Sequence, residues 1–197
     1  MLAALLLAAL AAAPIWIPDP PQARGTTLQG TAWAAEGKGW AARLTPLDDA
    51  ERWAYLRDLG GAAADPFAPK PGTPPAFLTY LLTIDNLSAV PMGFQAANCR
   101  LITRNRRIGY PLDLPTLETT FHQLDREIPP AWATIRPALF DGETTIAPGG
   151  RASGLLVFRA PEPRTRSFTV EVLLSTASVE EAAFMAAYRR AKEGQTP

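Results

Sequence analysis

Residues 76–86 read AFLTYLLTIDN, and this stretch decides the fold. In an extended chain, successive side chains point to opposite faces. One face of the stretch then carries Leu78, Tyr80, Leu82 and Ile84, and the other carries Phe77, Thr79, Leu81 and Thr83. Both faces are largely apolar, which is typical of a strand that is covered on both sides. We therefore predict a central β-strand here.

Further stretches with a two-residue period lie along the second half of the chain. Residues 94–102 are predicted as a strand, and residues 152–158 and 168–174 carry apolar side chains at every second position. The proline-rich loop 160–166 joins the last two, as in a sandwich rather than a βαβ unit. The chain has 20 prolines, about twice the usual share, and prolines favour turns and extended segments over long helices. The sequence therefore predicts a mainly β fold, an antiparallel sandwich.

A helix is predicted as an addition on the N-terminal side of this sandwich. It spans residues 46–59, because proline at the first position and aspartate in the first turn are typical of a helix start. Trp53, Leu56 and Leu59 are three residues apart and share one side of such a helix. We expect these three side chains to dock the helix on the sandwich and Arg52 to remain in water.

A second helix is predicted at the C-terminal end, over residues 178–193. Ser178 followed by Glu181 forms a capping-box pattern, and Gly194 is placed to end the helix. The carboxylates of Glu180 and Glu181 would lie in its first turn, where they favour the helix dipole rather than calcium binding.

An apolar run of leucine and alanine occupies residues 2–13, before a proline-rich break. A run of this length suits a secretory signal and is shorter than the ~20 residues that cross a bilayer. We predict residues 1–23 as a hydrophobic leader, 24–38 as a linker and 39–197 as the sandwich domain with its helices. The expected location is the periplasm or outside the cell, with membrane contact only through an uncleaved leader. The alternative is that the run forms a buried helix of the domain.

One order of strands and turns in the second half carries a resemblance. Residues 84–86 end a strand, residues 94–101 form another, and Pro148-Gly149-Gly150 leads into a strand over residues 153–158. This order resembles the immunoglobulin-like β-sandwiches of secreted bacterial proteins and lipoproteins, a group that includes immunoprotective extracellular proteins. The resemblance implies a secreted binding or structural module without catalytic residues. The insert over residues 112–140 departs from it and is a candidate location for function.

Charge separates the classes of partner. Lys+Arg and Asp+Glu both total 19, so the net charge is zero. Nucleic-acid binding depends on a surplus of cations facing phosphates, and we therefore expect no nucleic-acid partner and no polybasic membrane patch. The densest cationic cluster is Arg104, Arg106 and Arg107, with Arg100 close by. These arginines and Trp132 in the insert are candidate partner-binding residues, and a solvated hairpin tip is the alternative.

The sequence contains few side chains of the types that carry out catalysis, with one histidine and one cysteine. Cys99, His122 and Asp125 are the parts of a thiol-hydrolase triad, in which the imidazole must lie beside the sulfur. The flanking motifs of known cysteine proteases are absent, and a lone cysteine is most often a small buried hydrophobe. One histidine, one cysteine and three methionines cannot complete a zinc or copper shell without several carboxylates. We predict no enzyme, no cofactor and no metal, and we expect Cys99 to be buried.

Three functions follow from these patterns. The first is a non-enzymatic module that makes protein–protein contacts in the bacterial envelope, with an envelope protein as its partner. The second is a periplasmic protein that binds a small or anionic ligand through the 104–107 turn or around Trp132. The third is a cysteine hydrolase that uses Cys99 and His122.

The leader predicts export. A fusion of residues 1–38 to a reporter that is active only outside the cytoplasm should give reporter activity, because the apolar run would direct the chain across the membrane. Changing Leu5, Leu6 and Leu7 to arginine is the control and should abolish that activity. Activity confined to the cytosol in the parent fusion, or retained in the control, would contradict the prediction.

Overall fold

The protein is described here by a computed structural model that covers residues 16–60, 64–126, 135–175 and 181–191. Its strands are β1 (Trp16–Pro18), β2 (Thr27–Gln29), β3 (Ala32–Gly37), β4 (Trp40–Pro46), β5 (Phe77–Asn86), β6 (Met92–Gln95), β7 (Arg100–Thr103), β8 (Ile108–Gly109), β9 (Glu143–Ile146), β10 (Arg151–Arg159), β11 (Ser167–Ser175) and β12 (Glu181–Arg190). Its helices are α1 (Asp49–Gly60) and α2 (Leu114–Gln123), and 3-10 turns cover Pro20–Gln22, Ala96–Asn98 and Arg136–Ala138. The prediction of a mainly β, antiparallel fold is confirmed.

The stretch that was predicted as a central strand forms β5 in a five-stranded antiparallel sheet of order β10-β5-β4-β3-β2. β10 pairs with β5 along all of β5 except its last residue, from Phe77 opposite Arg159 to Asp85 opposite Arg151. β4 pairs with its other edge, where Asn86 lies opposite Trp40. β5 therefore has a hydrogen-bonded neighbour on each side.

The second sheet has seven strands, in the order β1-β12-β11-β6-β9, with β7 joining β11 to β8. β6 and β7 both pair with the same edge of β11, with Gly93 opposite Ser175 and Thr103 opposite Phe168. The 3-10 turn Ala96–Asn98 separates the two strands. The single strand predicted over residues 94–102 is therefore interrupted by a turn.

Apolar side chains of the two sheets meet between them in what we call the main core. The five-stranded sheet contributes Trp33, Leu44, Tyr80, Leu82, Ile84, Leu156 and Phe158, and the seven-stranded sheet contributes Phe94, Phe168, Val170, Val172, Leu174, Phe184 and Tyr188. These are the alternate positions along each strand, because the inward-facing residues of a sheet repeat every second residue. Burial of this set between facing sheets is the principal apolar contact of the fold.

A second apolar cluster, the outer core, covers the opposite face of β5 and β10. It holds Leu56 of α1, Leu117 and Phe121 of α2, Phe67 and Ile135 of the connecting segments, and Phe77, Leu155 and Val157 of the sheet. The two apolar faces of β5 are thus each covered, one by the other sheet and one by a helical layer. This arrangement explains the sequence pattern of residues 76–86.

The insert between β8 and β9 protects a sheet edge. Backbone N–H groups of Leu112 and Phe140 donate to the carbonyls of Val157 (2.8 Å) and Leu155 (3.1 Å) on the free edge of β10. An uncovered strand edge is a template for pairing with other chains. This part of the insert therefore has a structural role, while Trp132 lies outside the described residues.

The predicted C-terminal helix is wrong over its described part, because residues 181–190 form strand β12. β12 pairs with β11 at nine positions, from Arg189 opposite Ser167 to Glu181 opposite Ser175. Phe184, Ala186 and Tyr188 all face the main core, which is a two-residue period. Helix propensity is a weak preference that tertiary pairing overrides. The start of the predicted helix, residues 178–180, lies outside the described residues.

The predicted domain boundary is also corrected. Residues 16–18, assigned to the leader, form β1 and pair with β12, and the range 24–38, assigned to a linker, contains β2 and β3. Trp33 in this range is 1% exposed. These strands were not predicted, because short strands of small and polar residues show no clear alternation of apolar and polar side chains. The sandwich therefore includes residues from 16 onward, and the apolar run 2–13 lies outside the described residues.

Helix α1 begins at Asp49 rather than at residue 46, because β4 continues to Pro46. The helix start is capped as a box: Glu51 N donates to Asp48 Oδ1 (2.8 Å), and Asp48 N donates to Glu51 Oε2 (3.0 Å). Of the predicted docking residues, Leu56 is buried, Trp53 is half-buried and Leu59 is 54% exposed. The face that meets the sheet is therefore rotated from the predicted one.

Arg52, expected in water, occupies that buried face and is 3% exposed. Its guanidinium forms ion pairs with Asp65 (2.6 Å) and Asp49 (2.7 Å) and donates to Thr79 Oγ1 (3.3 Å). Burial acts to lower the pKa of Arg52, but hydrogen bonds and charges of the two carboxylates more than offset it, so the pKa is raised. A buried charge is tolerated only with such partners.

The rotated helix gives a stability prediction. Leu56→Ala should lower the free energy of unfolding by about 3 kcal/mol, because it leaves a cavity in the outer core. Leu59→Ala, with the same change at an exposed position of the same helix, should cost about 0.5 kcal/mol or less. Urea denaturation of the two variants measures both values. Equal losses would contradict the described orientation of α1.

Candidate functional site

Three chain segments meet at one end of the seven-stranded sheet. The 104–107 hairpin follows β7, the 160–166 loop precedes β11, and residues 189–190 end β12. Arg104 N donates to Ser167 O (3.2 Å), and Arg190 N donates to Arg166 O (2.8 Å). Backbone hydrogen bonds between neighbouring strands thus hold the three segments side by side.

These segments carry a concentration of arginine that we call the arginine end. Its members are Arg104, Arg106, Arg107, Arg164, Arg166, Arg189 and Arg190. Arg189 is half-buried and the other six are exposed. Glu162 is the single acidic residue on the same three segments. A chain with zero net charge therefore has a strongly cationic end.

Several of these guanidinium groups have no internal partner. Arg107 forms an ion pair with Glu162, and Arg190 Nη1 donates to the carbonyl of Pro163 (2.8 Å). The side chains of Arg104 and Arg106, in contrast, make no hydrogen bond or ion pair with any described residue. Their donors are directed to water and are free to bind an external anion.

The hairpin tip that carries Arg106 is held in a defined shape. Arg106 has a φ of 62°, in the left-handed region that few residues other than glycine and asparagine adopt readily. Arg107 N donates to Thr103 Oγ1 (3.1 Å), and Arg106 N donates to Thr103 O (2.8 Å). The tip therefore presents its arginines from a hydrogen-bonded turn.

A shallow groove of about 400 Å³ lies next to the arginine end. Its lining includes Arg104 and Ile102 on one side, Asp19 and Gln22 on the other, and Thr169 between them. A second groove of about 340 Å³ is lined by Phe140, Asp113, Asp141 and Glu143 and has acidic character. Both are open to solvent, so neither encloses a small molecule in the way that most ligand pockets do.

The sequence analysis identified part of the arginine end. Arg104, Arg106 and Arg107 are contiguous and were predicted as a cluster, and the structure adds four arginines from two distant segments. The expectation of no polybasic membrane patch depended on a net charge of zero, which is an average over the whole surface and does not exclude a local concentration of arginine. Arg100 does not join the cluster, since its guanidinium is paired with Glu171.

The parts of the possible thiol-hydrolase triad lie in different places. Cys99 is 0% exposed and belongs to the main core, which confirms its predicted burial. His122 is exposed on α2, a helix that packs into the outer core through Leu117 and Phe121. Burial raises the pKa of the Cys99 thiol to about 12, the opposite of the shift that activates a nucleophile.

Metal-ligating side chains do not converge within the described ranges. No group of three or more histidine, cysteine, aspartate or glutamate residues among them is placed to hold a metal ion. No helix within the same ranges is long and apolar enough to cross a membrane.

Two buried polar groups in the main core lack partners. The indole of Trp33 and the ring of Tyr188 meet edge-on at 6.4 Å, and neither Trp33 Nε1 nor the Tyr188 hydroxyl has a hydrogen bond among the described residues. Burial raises the pKa of Tyr188, and the facing indole offsets part of that rise without reaching hydrogen-bond geometry. The pair lies between the sheets and is not open to a ligand.

Comparison with known proteins gives little further information. No family model matches the chain, and no curated protein matches it. The crystal structure of the yjhA protein from Bacillus subtilis is similar over 71% of this chain and 76% of that chain, with 11% sequence identity and a TM-score of 0.39.

The environment of Cys99 gives a prediction with a pH dependence. A thiol reagent should label Cys99 in denaturant but not in the native protein, because the sulfur is buried and protonated. Burial raises the folded-state pKa of the thiol to about 12, whereas the unfolded-state pKa is about 8.5. The resulting contribution to the free energy of unfolding is therefore complete below about pH 8.5 and is lost as the pH rises toward 12. Cys99→Ala should lack this component in denaturation at increasing pH. Rapid native labelling at neutral pH would contradict the prediction.

Proposed function

We propose that this chain is a non-enzymatic binding module of an extracytoplasmic compartment, and that it binds an anionic partner through the arginine end. The observation that carries the proposal is the concentration of seven arginines and one acid on three adjacent segments of a neutral chain. Such a surface attracts anions over several ångströms and raises their local concentration.

The chemistry of the exposed side chains supports an anionic partner. A guanidinium presents donors in a planar fork that matches carboxylate, sulfate and phosphate oxygens, and it stays charged at all physiological pH values. Arg104 and Arg106 have no role in ion pairs of the fold. Because both side chains are exposed and neither makes an internal contact among the described residues, their donors are available to an external anion.

The proposed compartment and family are supported by the sequence. The leucine and alanine run at residues 2–13 has the length of a secretory signal. Two facing antiparallel sheets with short loops at their ends are the architecture of immunoglobulin-like binding modules, in which the loops carry the contacts. We propose the immunoglobulin-like assignment on that basis.

A second candidate function is contact with an envelope protein at the opposite end of the sandwich. The loop after β5 exposes Leu87 (66%) and Val90 (47%). Asn86 Nδ2 holds this loop by donating to Val90 O (2.8 Å) and Ile146 O (2.9 Å). Apolar side chains on a fixed loop suit a protein interface better than an anionic ligand.

Two variants of equal charge test the leading proposal. Arg104→Gln with Arg106→Asn removes two charges from the arginine end, and asparagine suits the left-handed conformation at position 106. The control, Arg43→Gln with Arg57→Gln, removes two exposed charges elsewhere. On a matrix that carries sulfate or phosphate groups, the first variant should elute at clearly lower salt than the parent, because each lost contact reduces the number of counterions released.

The control variant should elute close to the parent protein. Equal shifts in the two variants would show that only total charge matters and would contradict a localised site. A parent protein that the matrix does not retain near neutral pH would contradict the proposal as a whole.

A further inference from the structure

We infer that the anionic partner is a phospholipid surface, on which the arginine end lies against anionic headgroups. This inference rests on the proposed function and names the partner of the same site. It depends on where the chain enters the sandwich, on which side chains accompany the arginines, and on how the charges are laid out.

The direction of β1 shows where the chain enters. β1 is antiparallel to β12, with Trp16 opposite Arg190 and Pro18 opposite Tyr188. Trp16, the first residue of β1, therefore lies at the arginine end. The sequence before this point is the apolar run of residues 2–13. The described part of the domain thus begins at the end that carries its cationic charge, and an apolar run precedes it in the sequence.

Aromatic and apolar side chains accompany the arginines there. Trp16 is half-buried, and its ring meets that of Phe168 at 4.8 Å. Ile108, directly after Arg107, is 51% exposed, and Tyr110, two residues further from the hairpin tip, is 54% exposed. Tryptophan and tyrosine favour the level of lipid headgroups, where one part of the ring is apolar and another is hydrated. Arginine beside aromatic and apolar side chains is also the composition of helices that lie on anionic membranes.

The charges are laid out as a row rather than as a pocket. They project from the ends of β7, β11 and β12, with β1 next in line. At a strand spacing of about 4.8 Å, these four ends span about 14 Å. The adjoining groove is open, and its lining includes Asp19. The negative charge of this carboxylate disfavours binding of an anion inside the groove. A flat array of phosphates contacts several arginines of such a row at once, whereas a single small anion contacts one or two.

Vesicle flotation of the full chain tests this inference. Because the apolar run gives some binding to any bilayer, the quantity to measure is the increase in partition when phosphatidylglycerol is added to phosphatidylcholine vesicles. Each arginine near an anionic surface contributes about five-fold in partition. The variant with Arg104→Gln and Arg106→Asn should therefore lose about 30-fold of the increase, and the variant with Arg43→Gln and Arg57→Gln should keep it.

The outcomes separate this inference from the proposed function. An increase with phosphatidylglycerol that requires Arg104 and Arg106, and that fades in high salt as the screening length falls to about 3 Å, supports the lipid surface. Arginine-dependent binding to a soluble sulfated polysaccharide without any phosphatidylglycerol effect overturns the lipid inference and leaves the proposed function standing. Equal losses in the two variants overturn the inference as well. No increase with phosphatidylglycerol together with no binding to the polysaccharide overturns both proposals.

Discussion

The requirement to cover both faces of β5 shapes the rest of this protein. A strand with Tyr80 and Leu82 on one face and Phe77 and Leu81 on the other is stable only if apolar groups meet it from both sides. The seven-stranded sheet meets the first face and forms the main core. Helices α1 and α2 meet the second face and form the outer core. The two helices are therefore needed to bury the second face of this strand.

Burial on the outer side brings a charge with it. Arg52 enters the outer layer and is neutralised by Asp65 and Asp49, and Asp65 Oδ1 also accepts from Phe67 N (3.0 Å). The same loop is held by Arg126, whose Nη1 donates to the carbonyls of Pro66 and Ala68 and whose guanidinium lies 5.6 Å from the Phe77 ring centroid. The ion pairs of Arg52 and the hydrogen bonds of Arg126 to backbone carbonyls thus fix the loop that closes the outer core.

Sequence patterns were sufficient to predict those features that residues close together in the chain determine. The period of β5 and the burial of Cys99 follow from local alternation and from residue type, and both were predicted. β12 was not, because Glu181 and the alanines after it suit a helix locally, and pairing with β11 is a long-range contact that overrides that preference. The orientation of α1 was missed for a related reason. The guanidinium of Arg52 can be buried only because Asp65 pairs with it, and Asp65 lies thirteen residues away in the sequence.

The candidate site divides in the same way between local and distant residues. Arg104, Arg106 and Arg107 are neighbours in sequence and were found, whereas Arg166 and Arg190 reach them only through the register of β7, β11 and β12.

Arg52 on one side and Arg104 with Arg106 on the other show how differently the sixteen arginines of the chain are placed. The buried guanidinium of Arg52 is paired with two carboxylates. Arg104 and Arg106 have none among the described residues and are exposed, so no described ion pair of the fold depends on their charge. Exposed cations that lie together on hydrogen-bonded loops are the groups that an external anion would contact without breaking a described ion pair of the fold.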